Sequence, residues 1–296
     1  MRSGLFFGAG AYVMWGLFPA FFPLLKPAGA VEVLAHRIIW SFALMIVVVA
    51  AVRRLGDIKK ITGRTWLLLI AAAGLISVNW LIYVYAVNNG HVVDAALGYF
   101  INPLVSIALG LVIFREKLNR WQFSALAIAV VAVVILTVQV GEPPLVGIGL
   151  ALSFGLYGAV KKLIPTDPRV SVGLEAAIAT PFAIAYVVAL QLSGGGTLTG
   201  HGGGHVALLI LSGVLTALPL LLFAAAAQRL PMVSLGLLFY VTPAMQLTWG
   251  VLVGHEPMPP MRWMGFGLIW VALLVFTVDA VRRGRADRRV SAPFVS

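Results

Sequence analysis

Residues 79–118 read NWLIYVYAVNNGHVVDAALGYFINPLVSIALGLVIFREKL, two apolar runs joined by a short turn. Each run is long enough to cross a bilayer, since a spanning helix needs about 20 apolar residues. Amides and aromatics recur inside the runs at helical spacing, and Pro103 lies near the middle of the second. A related stretch returns at residues 236–258, GLLFYVTPAMQLTWGVLVGHEPM.

The surrounding composition is of the same kind. Of 296 residues, 61% are hydrophobic and only 10% charged, with a mean hydropathy of +1.01. Soluble domains carry about 25% charged residues, so a soluble globular fold is excluded. Backbone groups in lipid must be satisfied internally, which calls for helices. The period-2 alternation of a membrane barrel is missing. Zero cysteines exclude disulfides and thiolate metal sites.

The hydropathy pattern predicts ten spans. The first five are Leu5–Leu25, Val33–Val52, Trp66–Val87, Ala95–Phe114 and Trp121–Val140; the second five are Leu145–Leu163, Val172–Leu192, Val206–Ala227, Val233–Val253 and Trp263–Val281. The first run follows Met1-Arg2 and has Ala28-Gly29-Ala30 behind it, as a signal peptide would. It is long for that role and has a counterpart later in the chain, so it reads as a span. With the N-terminus inside, 18 of the 21 Lys and Arg residues fall on the cytoplasmic side, leaving only Lys26, Arg262 and the intramembrane Arg37. The positive-inside rule thus supports ten spans with both termini in the cytoplasm. It also explains the net charge of +11 without a nucleic-acid partner. The partner expected is the lipid bilayer, which the basic tail 282–296, read as disordered, would lie against. The glycine-rich loop Ser193–His205 reads as a flexible outside linker whose histidines, His201 and His205, are simply exposed. No metal or other cofactor is expected.

Sliding the chain along itself gives matches at a constant offset of 140 residues: Pro103 with Pro243, Gly110 with Gly250, Glu116 with Glu256, Thr137 with Thr277 and Phe42 with Phe182. Trp15-Gly16 matches Tyr157-Gly158 two residues out of step. The chain is therefore a duplicated five-span unit, residues 1–141 and 142–281. Five is odd, so the copies enter the membrane in opposite directions. Inverted repeats of this kind are a recurring design of secondary transporters, with the site near the midplane.

Three segments carry a family resemblance: LAHRIIWSF (34–42), NWLIYVYAVNNGHVVDAALGYFINPL (79–104) and FREKL (114–118). They resemble the RarD branch of the drug/metabolite transporter superfamily, whose repeat unit is the EamA domain. The resemblance covers nearly the whole chain and is looser in the second half. It implies a ten-helix, multi-pass transporter of small molecules in the bacterial inner (plasma) membrane, and the branch name is tied to chloramphenicol sensitivity.

In the fourth span Tyr99, Asn102, Ser106 and Gly110 share one helix face. The equivalent face of the ninth holds Phe239, Thr242, Gln246 and Gly250, with Tyr240 beside them. Pro103 and Pro243 each free a carbonyl one turn earlier. Asn79, Trp80 and Tyr83 share a face of the third span, and Trp15 and Tyr157 are repeat partners. Together these residues are the candidate lining of a substrate cavity; interhelix packing by small and polar residues is the competing reading. His36, Arg37 and Glu175 lie one turn inside their spans and are candidate gate or coupling residues, with Glu175 or His36 as proton carrier. Against this, Arg37 could snorkel to headgroups and Glu175 could pair with a lysine. Glu116 and Glu256 read as carboxylates at the N-terminal end of the next helix, and Asp94 as the cap of the 88–94 turn. No Walker motif, HExxH or GxSxG occurs. The reading is a secondary transporter of a small organic solute, an exporter or exchanger of an amino acid, metabolite or drug, and not an enzyme. An intramembrane enzyme and a channel-like facilitator are the alternatives.

Overall fold

Apolar runs deprived of water close their backbone hydrogen bonds within themselves, and the described segments do so as helix. The computed structural model describes residues 2–88, 92–140, 145–253 and 260–290. Among these there is no β-strand. The first half contains α1 (Arg2–Gly16), α2 (Phe18–Phe21), α3 (Ala30–Ala51), α4 (Gly63–Asn88), α5 (Val92–Val112) and α6 (Arg120–Val140). The second contains α7 (Leu145–Leu163), α8 (Pro168–Leu192), α9 (Gly202–Ala227), α10 (Met232–Phe239), α11 (Val241–Leu252) and α12 (Pro260–Val290). Seven stretches of the described chain are long and apolar enough to cross a membrane. Three shorter apolar ones, Gly98–Val112, Met232–Gln246 and Trp263–Asp279, fall where the fourth, ninth and tenth spans are expected.

Two expected spans are not continuous helices. The first ends at Gly16 and passes through α2 into a 3-10 turn, Phe22–Leu25. Pro19 and Pro23 cause this, because each removes an amide donor and crowds the carbonyl four residues back. The ninth breaks at Tyr240, whose N–H reaches back only three residues, to Leu237 O at 3.4 Å. Pro243 follows three residues on. α5 stays helical through Pro103.

The duplication is visible in the packing. α9, α10 and α12 begin 139, 140 and 140 residues after α4, α5 and α6. α1 packs on α9 as α7 packs on α4, and α5 packs on α7 as α11 packs on α1. Helices that pack on their own repeat partner run antiparallel to it. Glu32 at the start of α3 meets Thr197 beyond the end of α8, while Gly173 at the start of α8 faces Met45 near the end of α3. Likewise Pro103 faces Gly236 and Gly110 faces Met232 between α5 and α10. Leu136 of α6 meets Gly265 of α12, and Asn119 bonds Asp279. A two-fold axis perpendicular to the helices is the operation that produces this arrangement. The repeats are inverted.

Several expectations are corrected. The 193–205 linker is tied down: the Thr197 amide donates to Glu32 Oε1 at 2.6 Å, and Thr197 Oγ1 lies 2.8 Å from His205 Nε2. His205 is buried and opens α9 with the glycines before it; only His201 is exposed. Glu116 does not serve the helix that follows it. Its Oε1 and Oε2 accept from the amides of Met232 and Val233 at 2.8 and 2.9 Å, capping α10 of the other repeat. The basic segment from Arg282 continues α12 as helix to Val290; it holds no proline and five of its nine residues are helix-tolerant Arg. Glu256 and the side chain of Asp94 lie outside the described residues. At the start of α8, Asp167 accepts from the Arg169 amide and side chain and lies 3.2 Å from Arg54. Those hydrogen bonds from Arg169, helped by Arg54, hold its carboxyl below the usual carboxylate range.

Candidate functional site

A cavity of about 260 Å³ lies where the two repeats meet. α1 contributes Trp15, and the turn behind it Phe18, Pro19 and Phe22. α3 contributes Arg37, α4 contributes Ile76, Asn79, Trp80 and Tyr83, and α5 contributes Gly98, Tyr99 and Asn102. From the second repeat come Leu150 and Phe154 of α7, Thr216 and Leu220 of α9, and Phe239, Thr242 and Gln246 of α10 and α11.

One side is closed by packed rings. Phe154 lies 5.5 Å from Trp15, 5.3 Å from Phe223 and 5.6 Å from Phe239, centroid to centroid. Tyr12 packs beneath them on Phe239 at 5.1 Å. Edge and tilted contacts of this kind add about 0.5–1.5 kcal/mol each beyond the area they bury. Behind this floor sits a buried polar cluster. Lys161 Nζ donates to Glu175 Oε1 and Ser171 Oγ, both at 2.6 Å, and Tyr157 OH donates to Glu175 Oε2 at 3.1 Å. A void of about 30 Å³, lined by Ser41, Ser77, Trp80 and Glu175 among others, separates this carboxylate from the cavity wall. That is roughly the share of one water in the liquid.

The chain matches the profile of the EamA-like transporter family twice, over residues 2–138 and 144–278. The chain belongs to the EamA-like transporter family. It is 48% identical to "Protein RarD" of Streptomyces exfoliatus, covering 99% of this chain and 95% of that protein. It is 43% identical to "Uncharacterized transporter YojE" of Bacillus subtilis (strain 168), covering 97% of each. These relatives place it on the RarD branch and make it a multi-pass membrane transporter. A solved crystal structure superposes with a TM-score of 0.72 over 99% of this chain and 100% of the other, at 15% identity, which shows the shared fold alone.

In this EamA-family chain, eight of the eleven cavity candidates share the cavity: Trp15, Asn79, Trp80, Tyr83, Tyr99, Asn102, Thr242 and Gln246. Several are also helix clamps. Asn79 Nδ2 donates to Leu150 O and Ser153 Oγ at 2.9 and 3.0 Å. Thr242 Oγ1 donates to Tyr12 O at 2.8 Å, and Gln246 Nε2 to Trp15 O at 3.1 Å. Asn102 differs: its Oδ1 is buried with no partner among the described residues.

The other three lie elsewhere. Ser106 faces the backbone of Gly236, because α5 turns that face to its repeat partner α10. Tyr157 is below the aromatic floor, on Glu175. Tyr240 packs with Phe100, Ile269 and Ala272, on the side of α6 and α12. Of the gate candidates only Arg37 reaches the cavity. His36 is buried, and neither ring nitrogen has a partner among the described residues. Glu175 is paired with a lysine, as the competing reading had it. Arg37 does not snorkel. Its Nε donates to Thr216 Oγ1 at 2.7 Å, and its guanidinium carbon lies 5.5, 5.4 and 5.4 Å from the ring centres of Phe18, Phe22 and Trp80.

Sequence reasoning missed Phe154, Thr216 and the Phe18–Phe22 turn. The proline pair in FPAFFP signalled the turn; Thr216 was legible only as the repeat position of Ile76, an apolar residue.

Proposed function

We propose that this protein is a secondary transporter in the bacterial plasma membrane, an exporter or exchanger that moves a small organic solute by alternating access. One observation carries the reading: a solute-sized cavity at the junction of two inverted repeats, blocked on one side by a floor of aromatic rings. A cavity with one closed side is what an alternating-access cycle requires of each end state, and inverted repeats supply the second state by exchanging roles. By the charge distribution the blocked side is cytoplasmic, where Lys161 and Glu175 lie behind the floor. The cavity residues named above hold the solute, Asn102 and Trp80 foremost.

The test is flux in proteoliposomes against a panel of amino acids, aromatic metabolites and chloramphenicol, with and without an imposed proton gradient. Saturable flux stimulated by the same solute on the far side supports the carrier. Conductance that does not saturate indicates a channel-like facilitator, and no flux for any compound overturns the reading. Dependence on the gradient would make the Glu175 cluster the proton site; indifference to it would leave that cluster as a latch.

A further inference from the structure

The cavity contains a charge that the protein does not neutralise. Arg37 lies one turn or more inside α3, with part of its surface left open to the cavity. Each carboxylate whose side chain is described is engaged elsewhere. Glu32 holds the Thr197 amide, Asp57 pairs with Arg54 and Lys60, and Asp167 with Arg54 and Arg169. Glu116 caps α10, Glu175 pairs with Lys161, and Asp279 accepts from Asn119. Among the described residues none reaches Arg37.

An arginine inside a membrane is costly and normally has a partner or a function. Here the rings of Phe18, Phe22 and Trp80 steady the guanidinium by cation–π attraction. Thr216 takes Nε. The two terminal nitrogens, Nη1 and Nη2, donate to no described residue, and they form the planar fork that fits a carboxylate. Asn102 supplies the complement: it lines the same cavity, and its buried Oδ1 has no donor among the described residues. The rest of the wall is largely apolar and aromatic.

We infer that the solute is a small organic acid whose carboxylate binds the Nη1 and Nη2 nitrogens of Arg37. An N–H or O–H of the solute donates to Asn102 Oδ1, and an apolar or single-ring body fills the aromatic part of the cavity. Amino acids and hydroxy acids have this chemistry. The assignment rests on reading this cavity as the solute site.

The experiment is calorimetric binding to the purified protein in zwitterionic nanodiscs, with single-ring probes that differ in one group: 3-phenyllactate, 3-phenylpropionate and 3-phenylpropionamide. The acids should bind, and the amide at least about tenfold more weakly, a difference of about 1.4 kcal/mol. Arg37→Gln should remove the preference for acid over amide, and Arg37→Lys should keep part of it. Asn102→Ala should weaken phenyllactate but not phenylpropionate. Amide binding as tight as acid, an undiminished preference in Arg37→Gln, or no acid binding at millimolar concentration would each overturn the inference. The acid–amide comparison uses the unaltered protein, so it holds even if a variant misfolds. Flux assays separate the two readings. Acids that bind but are not moved would leave this assignment standing and sink the transporter cycle. Neutral or cationic solutes that are moved while acids do not bind would do the reverse.

Discussion

Arg37 and Glu175 are the eighth residues of α3 and α8, helices that are repeat counterparts, and their opposite charges lie on opposite sides of the aromatic floor. The neighbouring elements explain why one is paired and the other open. On the Glu175 side the neighbouring helix α7 supplies Lys161 and Tyr157. On the Arg37 side the corresponding part of the chain, after α1, supplies only phenylalanine rings. A two-fold frame has thus been given a saturated charge at one end and an unsaturated one at the other.

The Lys161–Glu175 pair predicts a strongly non-additive mutant cycle. Either Glu175→Gln or Lys161→Met leaves one buried group without its counter-charge and should destabilise the protein by about 3–5 kcal/mol. The double variant Lys161→Met/Glu175→Gln removes both charges and should recover most of that loss. Thermal unfolding of the three purified variants checks this. Additive losses would show that the two residues do not act as a pair.

Asn79 and Asn102 separate clamp from cavity. Asn79 joins α4 to α7 through two hydrogen bonds, so Asn79→Ala should lose about 1–3 kcal/mol of stability. Asn102 Oδ1 accepts no bond from a described residue, so Asn102→Ala should unfold within about 1 kcal/mol of the parent while flux of the transported solute falls away. Trp80→Ala should likewise abolish flux and leave membrane insertion intact. Normal flux in both Asn102→Ala and Trp80→Ala would remove these residues from the solute site.

What the sequence disclosed was periodic or repeated. The apolar runs set the helices, and the 140-residue offset exposed the duplication, because both are one-dimensional signals. Which face of a helix meets which neighbour is not. Ser106 and Asn102 occupy the same stripe of α5, yet one meets Gly236 and the other the cavity, a division decided by where α10 crosses. Glu116 was legible as a helix-terminal carboxylate, but the helix it caps begins 116 residues later, at Met232. Charge partners such as Lys161 for Glu175 lie on different helices, so spacing along one helix could not reveal them.

Gly213 marks a close approach of α3 and α9. A Cβ there would stand 2.6 Å from the Trp40 carbonyl carbon and 2.7 Å from the Ser41 nitrogen, both rigid backbone atoms. Ser41 Oγ also donates to Gly213 O at 2.9 Å. Gly213→Ala should therefore cost about 1–3 kcal/mol by overpacking, and Gly213→Val more. Thermal unfolding that ranks the three proteins otherwise would mean that α3 and α9 separate freely at this crossing.

Glu116 ties the end of the first repeat's α5 to the start of the second repeat's α10. Its carboxylate accepts two backbone amides that would otherwise be orphaned at a helix N-terminus. Lys162 lies 3.8 Å from the same carboxylate and donates to Leu230 O at 2.5 Å. Glu116→Ala should lose about 0.5–2 kcal/mol, the usual worth of an N-cap. Glu116→Gln should lose part of that, since one amide oxygen replaces two carboxylate oxygens and the charge favoured by the helix dipole is gone. If α10 moves against α5 during the cycle, both variants should change the rate of flux as well as stability, because the cap is then made and broken at each turnover. Unfolding temperature and flux measured on the same preparations separate the cases. Lower stability with unchanged flux would make Glu116 a static cap, and α5 and α10 a rigid unit.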